Sequence, residues 1–300
     1  MADHSQDRAT PRRAEFVVET VIRLVGFSSI GFVLLIFLFL LLEGVPLFFE
    51  VPLGNLFGVR WYPTFELFGM IPLILGSALV TVTAIAIALP LGLATAVLVR
   101  EVAPRWAREI LKPLIEVLAG IPSVVLGFFG MTVLAPTVRE TLGTPTGLTV
   151  FTGALILAYM ALPTIISIAE DALDAVPKSY RDAGLAMGAT QWQTIWRVVL
   201  PAGRSGIIAA VLLGLGRAIG ETMTVLMVTG NAAVIPLGLQ GFLRPVRTMT
   251  ATIAAEMGET AYNTPHYHAL FAIGLLLFII TFAANTIADV VVRRSGRTSR

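Results

Sequence analysis

The 300-residue chain contains no cysteine. Disulfide frameworks, thiolate metal sites, iron–sulfur clusters and cysteine nucleophiles are therefore excluded. Charge is scarce as well. Asp, Glu, Lys and Arg make up 13% of residues, against about 25% in a soluble domain, while apolar residues reach 56%. Twenty-one Lys and Arg against nineteen Asp and Glu leave a net charge of +2, a surplus confined to small arginine clusters and too slight for a nucleic-acid surface. The sequence has no G-x-x-x-x-G-K-[ST] loop and no G-x-S-x-G elbow, and its glycine-rich run from Gly214 to Gly220 is apolar and lacks the strand-to-helix setting of a phosphate loop. The chain carries no energy source of its own and no arranged set of nucleophile, base and metal.

Long apolar runs dominate what is present. A helix needs about 20 apolar residues to cross a hydrocarbon core about 30 Å thick. Six such runs occur, at about residues 24–42, 70–99, 114–136, 149–168, 206–229 and 269–292. The first follows a tail that mixes Asp3, Asp7, Glu15 and Glu19 with arginines, and it ends at Glu43-Gly44 without a small-residue cleavage site. It is expected to stay in the mature protein and not to act as a signal peptide. Counted tail by loop by tail, Lys plus Arg alternates four, one, four, one, four, two, four, with Arg217 left inside the fifth run. The positive-inside rule then places both termini and the second and fourth loops in the cytoplasm. The expectation is an all-α integral membrane protein: a cytoplasmic tail over 1–23, one six-helix domain over 24–292 and a second cytoplasmic tail over 293–300.

The loop over 169–204 is more ordered than a linker. Pro177 suits a first helical turn, Lys178 to Met187 is rich in helix formers, and Gly188 stands where a left-handed stop is expected. Thr190-Gln191-Trp192-Gln193 reads as a capping box that opens a second short helix, with Ile195, Trp196, Val198 and Val199 as its apolar side and Pro201 before the next span. Two short helices joined by a glycine make a knob that fits a partner's groove.

The order Asp182-Ala183-Gly184, Gly188, then Val198, Leu200 and Pro201 resembles the E-A-A-x-x-x-G and I-x-L-P loop of ABC importer permeases, with Asp for Glu, Gly for the second Ala and Val for Ile. A wider similarity, over about residues 55–292, is to the permeases of phosphate importers. It is carried by Trp61-x-Pro63, Phe68-Gly69 and Pro72, by Gly120-Ile121-Pro122-Ser123-Val124-Val125, by Gly214 to Met223, by Arg247 to Met257, and by His266-Tyr267-x-Ala269-Leu270-Phe271. Leu126 replaces an aromatic residue usual in that family.

The resemblance implies a type I ABC importer permease (MetI-like) fold in a prokaryotic inner membrane. It also implies a homologous second permease, two ATPase subunits that bind the ATP, and an external phosphate-binding protein, with membrane lipid around the spans, no nucleic acid and no cofactor in this chain. It gives Tyr180, Asp182, Ala183, Gly184 and Gly188 the role of the surface that couples to the ATPase.

Arg217 lies about eleven residues into the fifth run, near the middle of the hydrocarbon, where an arginine costs roughly 2.5–3.5 kcal/mol and needs a partner or water. Glu221 stands four residues on, one turn away on a continuous helix, and the Gly216-x-x-x-Gly220 face would admit another helix closely. Thr222 and Thr224 can line a polar path. Two readings stay open. One is a neutralised ion pair that fixes packing or locks a gate. The other is an anion relay, in which Arg217 forks onto phosphate oxygens and Glu221 accepts the P–O–H that phosphate retains near neutral pH. Sulfate has no such proton and a carboxylate would repel it. A permease for molybdate or sulfate, and a membrane sensor or scaffold for phosphate, are the rival functions.

Fainter signals complete the reading. Gly120-Ile121-Pro122-Ser123 is expected to break the third span near its cytoplasmic end, with Pro90 and Pro163 doing the same in others. Glu116 is expected to pair with Lys112 at the membrane surface. His266 and His268 lack a third ligand for a metal. The outer stretch 231–268 is expected to hold a re-entrant or interfacial helix, with Arg244 and Arg247 at its mouth.

Overall fold

A computed structural model describes residues 10–297; residues 1–9 and 298–300, parts of the two expected tails, lie outside the described residues. Helix α1 (Thr10–Gly44) is followed by two one-turn helices, α2 (Leu47–Glu50) and α3 (Leu53–Leu56), and by a small antiparallel hairpin, β1 (Trp61–Tyr62) and β2 (Leu67–Phe68), in which Trp61 faces Phe68. Helix α4 (Ile71–Val97) continues through a π-helical turn at Leu98–Val102, and α5 (Arg105–Ala119) follows. Helix α6 (Ser123–Phe129) passes through a second π-helical turn, Gly130–Leu134, into α7 (Ala135–Leu142). After α8 (Val150–Asp174) come α9 (Lys178–Ala186), α10 (Gln191–Thr194), a π-helical turn at Ile195–Val199 and α11 (Leu200–Ala202). Helices α12 (Arg204–Gly220), α13 (Met223–Val228), α14 (Met249–Glu256) and α15 (Pro265–Arg297) close the chain.

Four helices are long and apolar enough to cross a membrane, and two bent pairs bring the number to six if each pair is one span: α5 meets the α6–α7 helix at 89°, and the α10–α11 segment meets α12 at 71°. The six apolar runs are thus accounted for. Helix α1 already begins within the expected tail, at Thr10, and α15 runs past 292 to Arg297.

The third run departs from its expected outline. Its helix stops at Gly120 and restarts at Ser123 because Pro122, extended at φ −59 and ψ 137, has no N–H to continue the ladder. The break packs beside the middle of α8: Thr224 Oγ1 donates to Ser123 O at 2.9 Å and contacts Met160 Sδ at 3.4 Å, and Met160 is ten residues, about 15 Å, along α8 from Val150. Pro90 and Pro163 do not break their spans: α4 and α8 continue as helix through them.

Small residues set the core. Ile165 of α8 is wedged between two glycines, where an added Cβ would come within 2.8 Å of it at Gly92 on α4 and 2.6 Å at Gly214 on α12. Three helices can meet there only because both neighbours lack side chains. Helix α1 leans on α15 through Phe37 against Phe278 at 5.2 Å and Phe39 against Phe271 at 5.4 Å, and leaves most of its apolar surface open.

Candidate functional site

Span five breaks at the residues singled out in the sequence. Helix α12 ends at Gly220, a weak helix former, and Glu221 takes an extended conformation at φ −68 and ψ 131. Its carboxylate turns forward, and Oε1 accepts the Thr224 N–H at 3.2 Å, capping α13. Arg217, still on α12, donates from Nη1 to Thr164 Oγ1 of α8 at 3.2 Å. The expected pair one helical turn apart is corrected: among the described residues no ion pair joins Arg217 to Glu221, because the backbone between them leaves the helix. Gly216 and Gly220 face open space, and it is Gly214 and Gly206 that take the close helix approaches, against Ile165 and Ala172.

Several elements converge on the break. Thr222 Oγ1 donates to Gly220 O at 3.2 Å, Thr224 ties α13 to Ser123 at the start of α6, and Thr250 of α14 donates to Glu221 O at 2.8 Å. The stretch 231–268 therefore re-enters the bundle through α14, with Met249 to Thr252 buried. Arg217 is exposed in the single chain, and Glu221 and Thr222 are half-buried beside it. The guanidinium keeps most of its donors free, and one Glu221 oxygen is unused among the described residues. A forked cation and an acceptor carboxylate at mid-bundle suit an oxyanion that still carries a proton. Thr164, Ser123 and Thr250 escaped sequence reading as members of this site, since each sits in another segment and is joined only by tertiary packing.

The knob forms as the sequence spacing demands. Thr190 Oγ1 accepts Gln193 N–H at 3.2 Å while Gln193 Oε1 accepts Thr190 N–H at 2.9 Å, completing the capping box. Gly188 turns the chain at φ +82. Gly184 has a packing reason: a Cβ there would come within 2.9 Å of the Thr194 side chain. Tyr180, Asp182 and Ala183 are exposed, and Met187 is 88% exposed.

Arg181, which the sequence offered only as a positive charge, is the inward anchor of the knob. It donates to both Glu101 carboxylate oxygens at 3.1 and 2.6 Å and to the carbonyls of Val176 and Leu173 at 2.7 and 2.8 Å. The hydrogen bond to Glu101 raises the guanidinium above its ordinary pKa despite partial burial, so it stays charged at any physiological pH. Arg100 pairs with Asp174, and Gln191 Nε2 donates to Glu101 O at 3.1 Å. Lys112 pairs with Glu170 and Asp171 at 3.3 and 3.9 Å, in place of the expected Glu116.

The opposite end holds a second polar cluster. Glu256 at the end of α14 accepts from Arg247, from His266 Nε2 at 2.8 Å and from Trp61 Nε1 at 3.0 and 3.2 Å, and Arg247 Nε also reaches Asn231 Oδ1 at 2.8 Å. His268 is buried with Nδ1 on Glu43 O at 2.8 Å. Among the described residues no group of three His, Asp or Glu is placed to hold a metal.

Residues 88–297 match the family of binding-protein-dependent transport system inner membrane components. The chain is 41% identical over 233 residues to the probable ABC transporter permease protein YqgH of Bacillus subtilis, covering 77% of this chain and 74% of that one. It is 39% identical over 253 residues to the phosphate transport system permease protein PstC of Mesorhizobium japonicum, covering 78% and 76%. Among solved structures, a bacterial ABC transporter involved in import of the acidic polysaccharide alginate superposes with a TM-score of 0.63 at 15% identity, over 94% of this chain and 99% of that one. The inward-facing MetNI methionine ABC transporter superposes at 0.59 and 21% identity, over 79% and 99%. These two share the fold.

Proposed function

The chain belongs to the family of binding-protein-dependent transport system inner membrane components, and from that premise we propose that it is the permease subunit of an ABC importer that moves inorganic phosphate across the cytoplasmic membrane. It is a multi-pass inner-membrane protein and is not itself catalytic. A homologous second permease completes the pathway, two ATPase subunits dock on Tyr180 to Gly188 and hydrolyse the ATP, and an external binding protein delivers phosphate. The alternation of basic residues supports cytoplasmic termini and a cytoplasmic knob.

One observation carries the substrate reading. An arginine at mid-bundle is exposed, bonded among the described residues only to a threonine hydroxyl, and lies four residues from a carboxylate that, among the same residues, is spent on a helix cap through one oxygen alone. A packing role would have paired the two charges. Left apart, the fork binds phosphate oxygens, and the free Glu221 oxygen accepts the phosphate proton that sulfate lacks. ATP-driven rocking of the two permeases then exposes this position to each side in turn. Replacing the fork by an amide removes a charge-assisted contact worth about 1.5–3 kcal/mol per hydrogen bond. Arg217→Gln is expected to abolish phosphate uptake in reconstituted vesicles that contain both permeases, the ATPase and the binding protein, while the complex still assembles. Uptake at the wild-type rate by that variant would remove the relay.

A further inference from the structure

The break in span five leaves a carbonyl to be satisfied. On an unbroken helix Glu221 O would accept the Val225 N–H four residues on. Here the first such bond of α13 runs from Leu226 N–H to Thr222 O at 3.0 Å, and Glu221 O takes the Thr250 hydroxyl of α14 at 2.8 Å instead. Thr229 and Thr252, by contrast, turn back along their own chain and donate to Val225 O at 2.7 Å and to Thr248 O at 2.8 Å. Thr250 sends its proton across to another segment.

A hydroxyl has one proton to give, so the direction of the bonds behind Thr250 is fixed. Thr248 Oγ1 accepts the Ala251 N–H at 3.2 Å as the cap of α14. It also lies 3.2 Å from Thr250 Oγ1. Since the Thr250 proton is on Glu221 O, Thr248 is the donor in that contact, and the bonds run in one sense from Ala251 through both hydroxyls to the Glu221 carbonyl. Thr248 and Thr250 are both buried, where such bonds reinforce one another. Helix α14 is firmly seated beside the break. Met249 N–H donates to Ser77 Oγ of α4 at 2.9 Å, Arg247 O lies where a Cβ on Gly76 would come within 2.4 Å of it, and Glu256 is tied to Trp61 and His266.

We infer that Thr250, backed by Thr248, is a positioning residue that keeps Glu221 out of the helix and so keeps its carboxylate apart from Arg217. The inference rests on the reading of Arg217 and Glu221 as the oxyanion site. Without the Thr250 hydroxyl, Glu221 O is satisfied by the helical bond to Val225 N–H, and α12 runs on through position 221. That sets the two charges one turn apart on one face, where they neutralise each other in place of the anion.

The test uses vesicles that hold both permeases, the ATPase and the binding protein, with phosphate uptake and ATP hydrolysis read together. Thr250→Val keeps the shape of the side chain and removes the hydroxyl, whereas Thr250→Ser keeps the hydroxyl and removes a methyl from a buried position. A role in packing makes the serine variant the worse of the two, and a role in positioning makes it the better. Loss of the donor to the Glu221 carbonyl is expected to lower phosphate moved per ATP about tenfold in Thr250→Val, with ATP hydrolysis little changed and Thr250→Ser near wild type. Should Thr250→Val fail to assemble, Thr250→Ala against Thr250→Ser isolates the hydroxyl, since both lack the methyl, and the same gap is expected. Thr250→Ser as impaired as the variant without a hydroxyl, Thr250→Val at the wild-type rate, or equal loss of uptake and ATP hydrolysis overturns the positioning role. Arg217→Gln tells the two readings apart. If it abolishes uptake while Thr250→Val transports normally, only the role of Thr250 falls; if it transports normally, the oxyanion site falls and the positioning role with it.

Discussion

Replacing Arg181 by methionine keeps the length and apolar stem of the side chain and removes four hydrogen bonds: two to Glu101 and one each to the carbonyls of Leu173 and Val176. The Glu101 side chain is only 8% exposed, so the change strands a buried carboxylate. Breaking such a pair from one side costs about 3–5 kcal/mol, equivalent to a factor of roughly 10²–10³ or more in the equilibrium between attached and detached knob. The last turn of α8 loses its capping donor at the same time. Removing both charges, as in the Glu101→Met Arg181→Met double variant, is expected to restore most of the stability, because apolar replacement of a buried pair is often neutral. It should not restore the rigid link. The assay is phosphate moved per ATP hydrolysed in proteoliposomes, read beside the melting temperature of the purified complex. The single variant should lose both coupling and stability, and the double variant should regain stability while staying uncoupled. The absence of native cysteine lets paired spin labels on α4 and α9 report their separation directly. A single variant with wild-type stoichiometry and an unchanged label distance refutes the anchor.

Two further outcomes can be stated. At Gly188, where φ is +82 and nothing lies within 4 Å of an added Cβ, the penalty is backbone conformation alone, about 1–2 kcal/mol. Gly188→Val should therefore separate ATP hydrolysis from phosphate transport while Gly188→Asn, which tolerates the left-handed region, stays near wild type; equal behaviour of the two would exclude the turn as the cause. Glu256→Gln should lower the melting temperature by roughly 6–12 °C, from a loss of about 3 kcal/mol, since Arg247, His266 and Trp61 all converge on that carboxylate. An unchanged melting curve would show that the cluster adds nothing to stability.

Much of the architecture is legible in the residues. Apolar runs and their basic flanks fix which segments are long enough to span, and Pro177, Gly188 and the Thr190 capping box draw the knob before any coordinates are seen. What escapes is set by contacts between segments. Pro90 and Pro163 read the same as Pro122, yet only the last, preceded closely by Gly120, interrupts its helix. Four-residue spacing suggests a bonded Arg217–Glu221 pair, but the helix ends between them, and Thr250 and Ser123 enter the site from the first turns of helices far away in sequence. Arg181 is one of four basic residues in its loop, and nothing local sets it apart until Glu101 arrives from the end of α4.

The interruption at Gly220 to Thr222 changes what distance means in this span. On an unbroken helix, the gap between cation and carboxylate would be locked by the pitch. Here the guanidinium travels with a rod packed on α8 and α15, while the carboxylate is moored through α13 and Thr250 to the starts of α6 and α14. The separation of the two charges becomes an adjustable caliper, opened or narrowed by any motion that slides one rod past the other.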